Sequence, residues 1–238
     1  MDRKFKGIVI GSKDHKENDR LLTIFSLEFG KINARLVGVK KPKAKLKVFK
    51  ELFCFADFVA TENNGFLTVT SAELIDSFSD LTLDIDRFYE ASAVIDALDK
   101  VTASNEQNVP LFLETLGALK AICYEKTAKK YAFCKFLIDV FEGAGYKLSV
   151  DKCHSCNEGF ISGKYLNLDS GEITCKNCRS RDSALLSDKA FVALRLLGNT
   201  SFEKLGSLKL ALCSEEELFE VLKKNFKRRF LKELNVLM

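Results

Sequence analysis

Cys153-His154-Ser155-Cys156 is followed, 18 residues on, by Cys175-Lys176-Asn177-Cys178. No other feature restricts the fold as tightly. Each C-x2-C turn presents a pair of thiolates, and two such turns at this spacing close four sulfurs into a tetrahedron around a divalent ion. The expected cofactor is one structural Zn2+ held by Cys153, Cys156, Cys175 and Cys178. Four thiolates leave no open coordination position, so the ion would build structure and not activate water. Residues 159–174, with a turn at Asp169-Ser170-Gly171, read as the short strands of a zinc ribbon. An iron–sulfur cluster or a redox dithiol is the competing use of the same spacing. His154 is expected to be a neighbour of the site and not a ligand.

The metal reading requires reduced thiols. Eight cysteines suit a disulfide scaffold only in short secreted chains, whereas this chain has 238 residues and 37 lysines and arginines. Its first residues, Met1 to Lys6, lead into a short apolar stretch without a small-residue cleavage site, so a cytoplasmic protein is expected. No apolar run reaches the roughly 18–20 residues that span a bilayer. Cys54, Cys123, Cys134 and Cys213 sit in apolar patterns and are expected to be buried small hydrophobes. Only two histidines, His15 and His154, are available for proton transfer near neutral pH. Phosphate-loop, GxGxxG, HExxH and GxSxG signatures are absent. The expectation is a protein that is not an enzyme and has no small-molecule substrate.

Charge points to a polyanion instead. The net of +4 averages unlike regions, since residues 1–50 carry 14 basic and 5 acidic side chains and residues 51–152 carry 9 and 17. Residues 31–50 hold Lys31, Arg35, Lys40, Lys41, Lys43, Lys45, Lys47 and Lys50 with no acid among them. Such clustering is the electrostatic footprint of a nucleic acid, because each neutralised phosphate releases counterions. Lys31, Arg35, Lys40, Lys41, Lys43, Lys45 and Lys47 are the candidate nucleic-acid contacts. A solvated lysine loop serving only solubility is the plainer account.

The first eighty residues read as strands: 5–12, 21–26, 31–39, 49–61 and 66–74. The third alternates Ile32, Ala34 and Leu36 with polar neighbours, and Asn63-Asn64-Gly65 is a hairpin turn between the last two. Five strands in so short a span predict an OB-fold barrel, an architecture that binds oligonucleotides across strands two and three. Phe49, Phe53 and Phe55 share one parity of the fourth strand and Leu52, Cys54, Ala56 and Phe58 the other, so one face is core. The other either packs against a helical body or offers rings to bases.

From residue 83 the apolar period becomes helical, through Ile85, Phe88, Ala91, Ser92, Ile95, Leu98 and Thr102. Pro110 opens a second helix. A third spans 129–143, and two more span 187–197 and 215–237. The expected fold class is therefore α+β and multi-domain: an OB-fold barrel over 1–79, a helical body over 80–150 and 181–238, and a four-cysteine zinc ribbon inserted at 151–180. The last helix carries Lys223, Lys224, Lys227, Arg228 and Arg229, a possible second DNA contact. Cations also suit a helix C-terminus for electrostatic reasons alone.

These parts, in this order, resemble the bacterial RecO family of recombination mediators. The likeness is carried by Gly7-Ile8-Val9, by Glu17 through Phe25, by Glu28-Phe29-Gly30-Lys31-Ile32, by Gly38 through Leu46, and by the cysteine quartet with Gly171-Glu172-Ile173-Thr174. The resemblance implies a cytoplasmic, nucleoid-associated DNA-repair mediator. Such a protein binds single- and double-stranded DNA, anneals complementary strands and helps load RecA onto DNA coated by single-stranded-DNA-binding protein. It further implies a complex with RecR and capture of the acidic C-terminal tail of the single-stranded-DNA-binding protein. A zinc-ribbon factor bound to RNA or the ribosome is the alternative, because a basic barrel does not by itself distinguish RNA from DNA.

Overall fold

The computed structural model describes residues 2–125, 130–146, 148–161, 163–208 and 215–235. Five strands open the chain: β1 (Asp2–His15), β2 (Asp19–Ser26), β3 (Gly30–Leu36), β4 (Phe55–Asn63) and β5 (Phe66–Asp76). They close in the order β1-β2-β3-β5-β4, antiparallel throughout except for the parallel pair β3–β5. This is the expected OB-like barrel. The alternation of β3 sends Ile32, Ala34 and Leu36 into a core shared with Phe5, Val9, Leu22, Ile24, Phe49, Phe58 and Val69. Phe5 stacks on Phe58 with ring centroids 5.5 Å apart.

The fourth strand begins at Phe55 and not at residue 49. Residues Lys47–Lys50 form a 3-10 turn, and Phe53 takes a φ of +69°, which no extended strand tolerates. The bent segment is held to β1 by Phe53 N–H donating to the Val9 carbonyl and Val9 N–H donating to that of Cys54, each at 2.9 Å. An unalternating apolar run is the pattern whose period says least, which is why it reads as one strand. The third strand likewise ends at Leu36, two residues before Gly38 turns the chain at a φ of +66°.

The chain divides into two compact units, residues 1–82 with 101–116 and residues 83–100 with 117–238. In the first, residues 101–116 pack on the barrel: Phe112 lies 5.9 Å from Phe25 and 6.1 Å from Phe55. Gly30 makes this approach possible. Its φ is +67°, and a Cβ there would come within 1.8 Å of the Glu106 carbonyl oxygen.

Five helices follow the barrel strands: α1 (Ile85–Val101), α2 (Val109–Tyr124), α3 (Tyr131–Gly143), α4 (Asp188–Gly198) and α5 (Glu215–Phe230). Pro110 falls in the first turn of α2, where Asn108 Oδ1 accepts the Leu111 N–H at 3.0 Å. The buried arc of α1 is broader than a single stripe. It adds Glu90, Ala93, Val94 and Ala97 to Ala91, Ile95 and Leu98 and leaves Ile85 exposed. α5 stops at Phe230 and does not continue to residue 237, since Leu231 turns to a φ of +53°. Lys129, the expected start of α3, and Leu237 lie outside the described residues.

The cysteine region contributes β6 (Lys164–Asn167), β7 (Ile173–Cys175) and β8 (Ser183–Leu186), an antiparallel sheet in the order β7-β6-β8. No helix among the described residues is long and apolar enough to cross a membrane.

Candidate nucleic-acid interface and metal centre

The two C-x2-C turns converge. The sulfurs of Cys153, Cys156, Cys175 and Cys178 all lie within 4.8 Å of one another, and Cys156 Sγ is 3.9 Å from Cys175 Sγ. Zn–S bonds of about 2.3 Å in a tetrahedron require sulfurs about 3.8 Å apart, so this donor set fits zinc. Burial opposes ionisation of Cys153, but the backbone N–H groups of Cys156, Cys175 and Ser155 outweigh it and bring the thiol down to about 6. The Cys175 N–H donates to Cys153 Sγ at 3.3 Å. The neighbouring thiols of Cys175 and Cys156 push Cys178 up to about 12. The fold thus favours ionisation of Cys153, and a cation at the centre would do the same for Cys178. His154 stands outside the cluster, its Nε2 2.8 Å from Glu172 Oε1.

Cys54, Cys123 and Cys134 are buried. Burial pushes the Cys54 thiol up to about 12 and that of Cys134 well above its ordinary value. Cys213 lies outside the described residues.

On the first unit a groove of about 1070 Å³ runs over β3 and the β4–β5 hairpin, lined among others by His15, Leu21, Lys31, Arg35, Phe66 and Asn105. Its two acids are occupied. Glu62 pairs with Arg3 at 2.5 Å, and Glu28 accepts the Lys6 backbone N–H at 3.0 Å. Arg35 Nε is 4.0 Å from Asp19, whose other oxygen accepts the Gly38 N–H at 2.8 Å. Gly38 opens the connection from β3 to the 3-10 turn, so the lysine-rich segment starts beside the groove. Lys40 is tied down there, 3.1 Å from Asp14. Arg20 and Lys40 together hold the Asp14 carboxyl below its usual range. Lys41, Lys43, Lys45 and Lys47 are exposed and have no ion pair among the described residues. The cations gathered by sequence thus fall into two groups, Lys31 and Arg35 in the groove wall and four unpaired lysines on the loop next to it.

The cations of α5 are placed otherwise. Lys223 lies 3.9 Å from Glu220, Lys227 pairs with Glu233, and Arg228 sits 3.6 Å from Asp169 and 3.8 Å from Asp182. Arg229 turns inward, over the Tyr146 ring at 4.0 Å, and donates to the Ser170 carbonyl. Lys224 alone of the five is exposed without an ion pair among the described residues. With Lys227 and Arg228 it lines a recess of about 580 Å³ together with Leu168, the exposed Leu231 and Glu233.

A family model described as "Recombination protein O N terminal" matches residues 1–78, and one described as "Recombination protein O C terminal" matches residues 82–237. The chain belongs to the RecO family. It is 29% identical over 215 residues to the DNA repair protein RecO of Clostridium perfringens, covering 90% of this chain and 87% of that protein. The DNA repair protein RecO of Halalkalibacterium halodurans is 30% identical over 212 residues, 88% and 83% of the two chains. That of Acetivibrio thermocellus is 28% identical over 231 residues, 96% and 92%. These relatives are named as DNA repair proteins, and the closed barrel, helical body and cysteine cluster make up the fold class expected from the sequence.

In this RecO architecture the fourth strand takes the packing alternative, Phe55 lying 6.1 Å from Phe112 of α2. Phe49, Phe53, Phe55 and Phe58 are all buried, so that segment offers no ring to a ligand. Two phenylalanines line the groove: Phe29, half-buried and edge-on to Phe5 at 5.9 Å, and Phe66, 75% exposed. Its position directly after Asn63-Asn64-Gly65 was the available signal, because a ring beside a tight turn has little barrel to pack on.

Proposed function

We propose that this RecO-family chain is a DNA repair protein whose barrel binds single- and double-stranded DNA through phosphate contacts. Lys31 and Arg35 supply contacts in the groove, and Lys41, Lys43, Lys45 and Lys47 extend the path along the adjoining loop. The observation that carries the reading is the set of four exposed lysines from Lys41 to the start of the 3-10 turn at Lys47, which no ion pair neutralises among the described residues. In a solvated loop of purely structural purpose, nearby acids would be expected to share the charge, as Asp14 does for Lys40.

Family membership supports the further steps: annealing of complementary strands, and loading of RecA, together with RecR, onto DNA coated by single-stranded-DNA-binding protein. An annealing role requires little sequence preference, which phosphate contacts provide. The acidic tail of the single-stranded-DNA-binding protein needs an apolar seat with a cationic rim. The recess of Leu168, Leu231, Lys224 and Arg228, whose acid Glu233 is neutralised by Lys227, has that chemistry. Zn2+ is assigned to Cys153, Cys156, Cys175 and Cys178, where it would supply folding free energy to a ribbon with almost no core of its own.

The deciding experiment reverses Lys41, Lys43 and Lys45 to Glu and measures binding to single-stranded and duplex DNA over a salt series. Both affinities should fall by similar factors, and the slope of log K against log salt should flatten by about one per lost contact. Unchanged affinity and slope would overturn the assignment of the loop.

A further inference from the structure

Phe66 is the outlier among the phenylalanines of the first unit. Phe5, Phe25, Phe49, Phe53, Phe55, Phe58, Phe78 and Phe112 are each at most 6% exposed and Phe29 is half-buried against Phe5 and Arg3, whereas Phe66 is 75% exposed. No ring contact is made to it among the described residues. The position is nevertheless rigidly built. Asn64 and Gly65 take φ values of +51° and +78°, the left-handed pair that closes a tight hairpin, and Phe66 pairs directly with Asn63 across it. The next two residues, Leu67 and Thr68, are bonded in register to Ala34 and Arg35 of β3. The ring is therefore held on the strand that borders the cationic wall, and both face the same groove.

An exposed ring on a held backbone next to guanidinium and ammonium groups is the arrangement that binds unpaired bases. The cations track the backbone, and the ring offers a face to any base that is free to stack. A duplex cannot use the ring, because its bases are already stacked on one another. We propose that Phe66 is a base-stacking platform that gives the barrel a preference for single-stranded over duplex DNA. The inference rests on the proposed DNA-binding function of this groove, and it adds the strand specificity that phosphate contacts alone do not provide.

The chain contains no tryptophan, so Phe66→Trp introduces a single reporter at the site. Titrating that variant with oligothymidine should quench its fluorescence, while a duplex of the same length leaves it largely unchanged. Phe66→Ala should weaken single-strand binding by about ten-fold, leave duplex binding within two-fold, and keep the salt slope. Because the side chain is exposed, its thermal midpoint should match that of the wild type. Undiminished single-strand affinity in Phe66→Ala, or a tryptophan that duplex quenches equally, overturns the stacking role. Run beside the lysine reversals, the experiment separates two failures. If the lysines matter and Phe66 does not, only the stacking inference falls; if neither matters, the groove itself is wrongly assigned.

Discussion

Glu90 Oε1, on α1, accepts the backbone N–H of Phe133 at 3.1 Å, in the first turn of α3. Lys130, the residue preceding that helix, has a φ of +72° and no side-chain bond to the turn, so a carboxyl from another helix takes over the capping. Burial pushes the Glu90 carboxyl from its ordinary 4.5 up to about 7, against the pull of the Phe133 and Lys130 N–H groups.

A pH dependence follows from this cap. The folded state keeps the proton up to about pH 7, whereas the unfolded chain releases it near 4.5, so stability falls as pH rises between those values. The total is about 3 kcal/mol. Glu90→Gln keeps an acceptor and removes the titration. Thermal melts from pH 4.5 to 8 should show a smaller decline in the variant and a higher midpoint than wild type at pH 8. Parallel curves for the two proteins would rule Glu90 out as the source.

Asn225 and Arg229 reach from α5 to the β6–β7 turn. Asn225 Nδ2 donates to the Leu168 carbonyl at 3.1 Å, its Oδ1 accepts from Arg229 Nε at 2.9 Å, and Arg229 also donates to Ser170. Gly171 has a φ of +68°, and a Cβ there would come within 1.4 Å of Arg229 Nη2. Gly171→Ala should therefore expel the guanidinium and strain the turn, costing about 1–3 kcal/mol. Hydrogen exchange should rise at residues 167–175 and in the last turns of α5. Protection equal to wild type in both segments would remove the clamp from the account.

The difference between what was legible in the chain and what was not is a matter of sequence distance. The cysteine spacing, the alternation of β3 and the Asn63-Asn64-Gly65 turn are local signals, and each reappears in the fold. The cap on α3 joins residues 43 apart, and the clamp on the ribbon joins residues 59 apart. A basic helix end reads as a surface until the fold shows the acids and carbonyls that Arg228 and Arg229 meet. The bend at Phe53 escapes for another reason. Apolar residues run through the kink whether buried, as Phe49, Cys54 and Phe55 are, or exposed, as Leu52 is, so their hydropathy carries no period to mark it.

Within α3, Lys135 and Asp139 form an ion pair one turn apart, with side chains only 8% and 11% exposed. Lys135 Nζ also lies 5.4 Å from the Phe202 ring centre. Asp139→Ala would leave the ammonium buried without its carboxylate and should lower stability by roughly 3–5 kcal/mol. The double variant Lys135→Met, Asp139→Leu removes both charges and should recover most of that loss. Chemical denaturation of the two proteins checks this: equal losses in both would mean that packing, and not the unpaired charge, sets the cost.

Cys156 is the exposed member of the quartet, whereas Cys153 is buried and accepts the Cys175 N–H. Cys156→Ser therefore tests the metal with little change in packing. A hydroxyl is a poor substitute for a thiolate, and metal binding worth roughly 10–16 kcal/mol at neutral pH is folding free energy for a ribbon of this size. Protein purified from the variant should contain well under one zinc per chain by atomic emission. Residues 153–178 should lose exchange protection first, while the barrel, with its own core of Phe5, Val9, Ile24 and Phe58, keeps its protection and the DNA affinity proposed for it. Chelation of the wild-type protein should reproduce the same local opening. Retention of a full equivalent of zinc in the variant would mean that the four sulfurs are not the ligands.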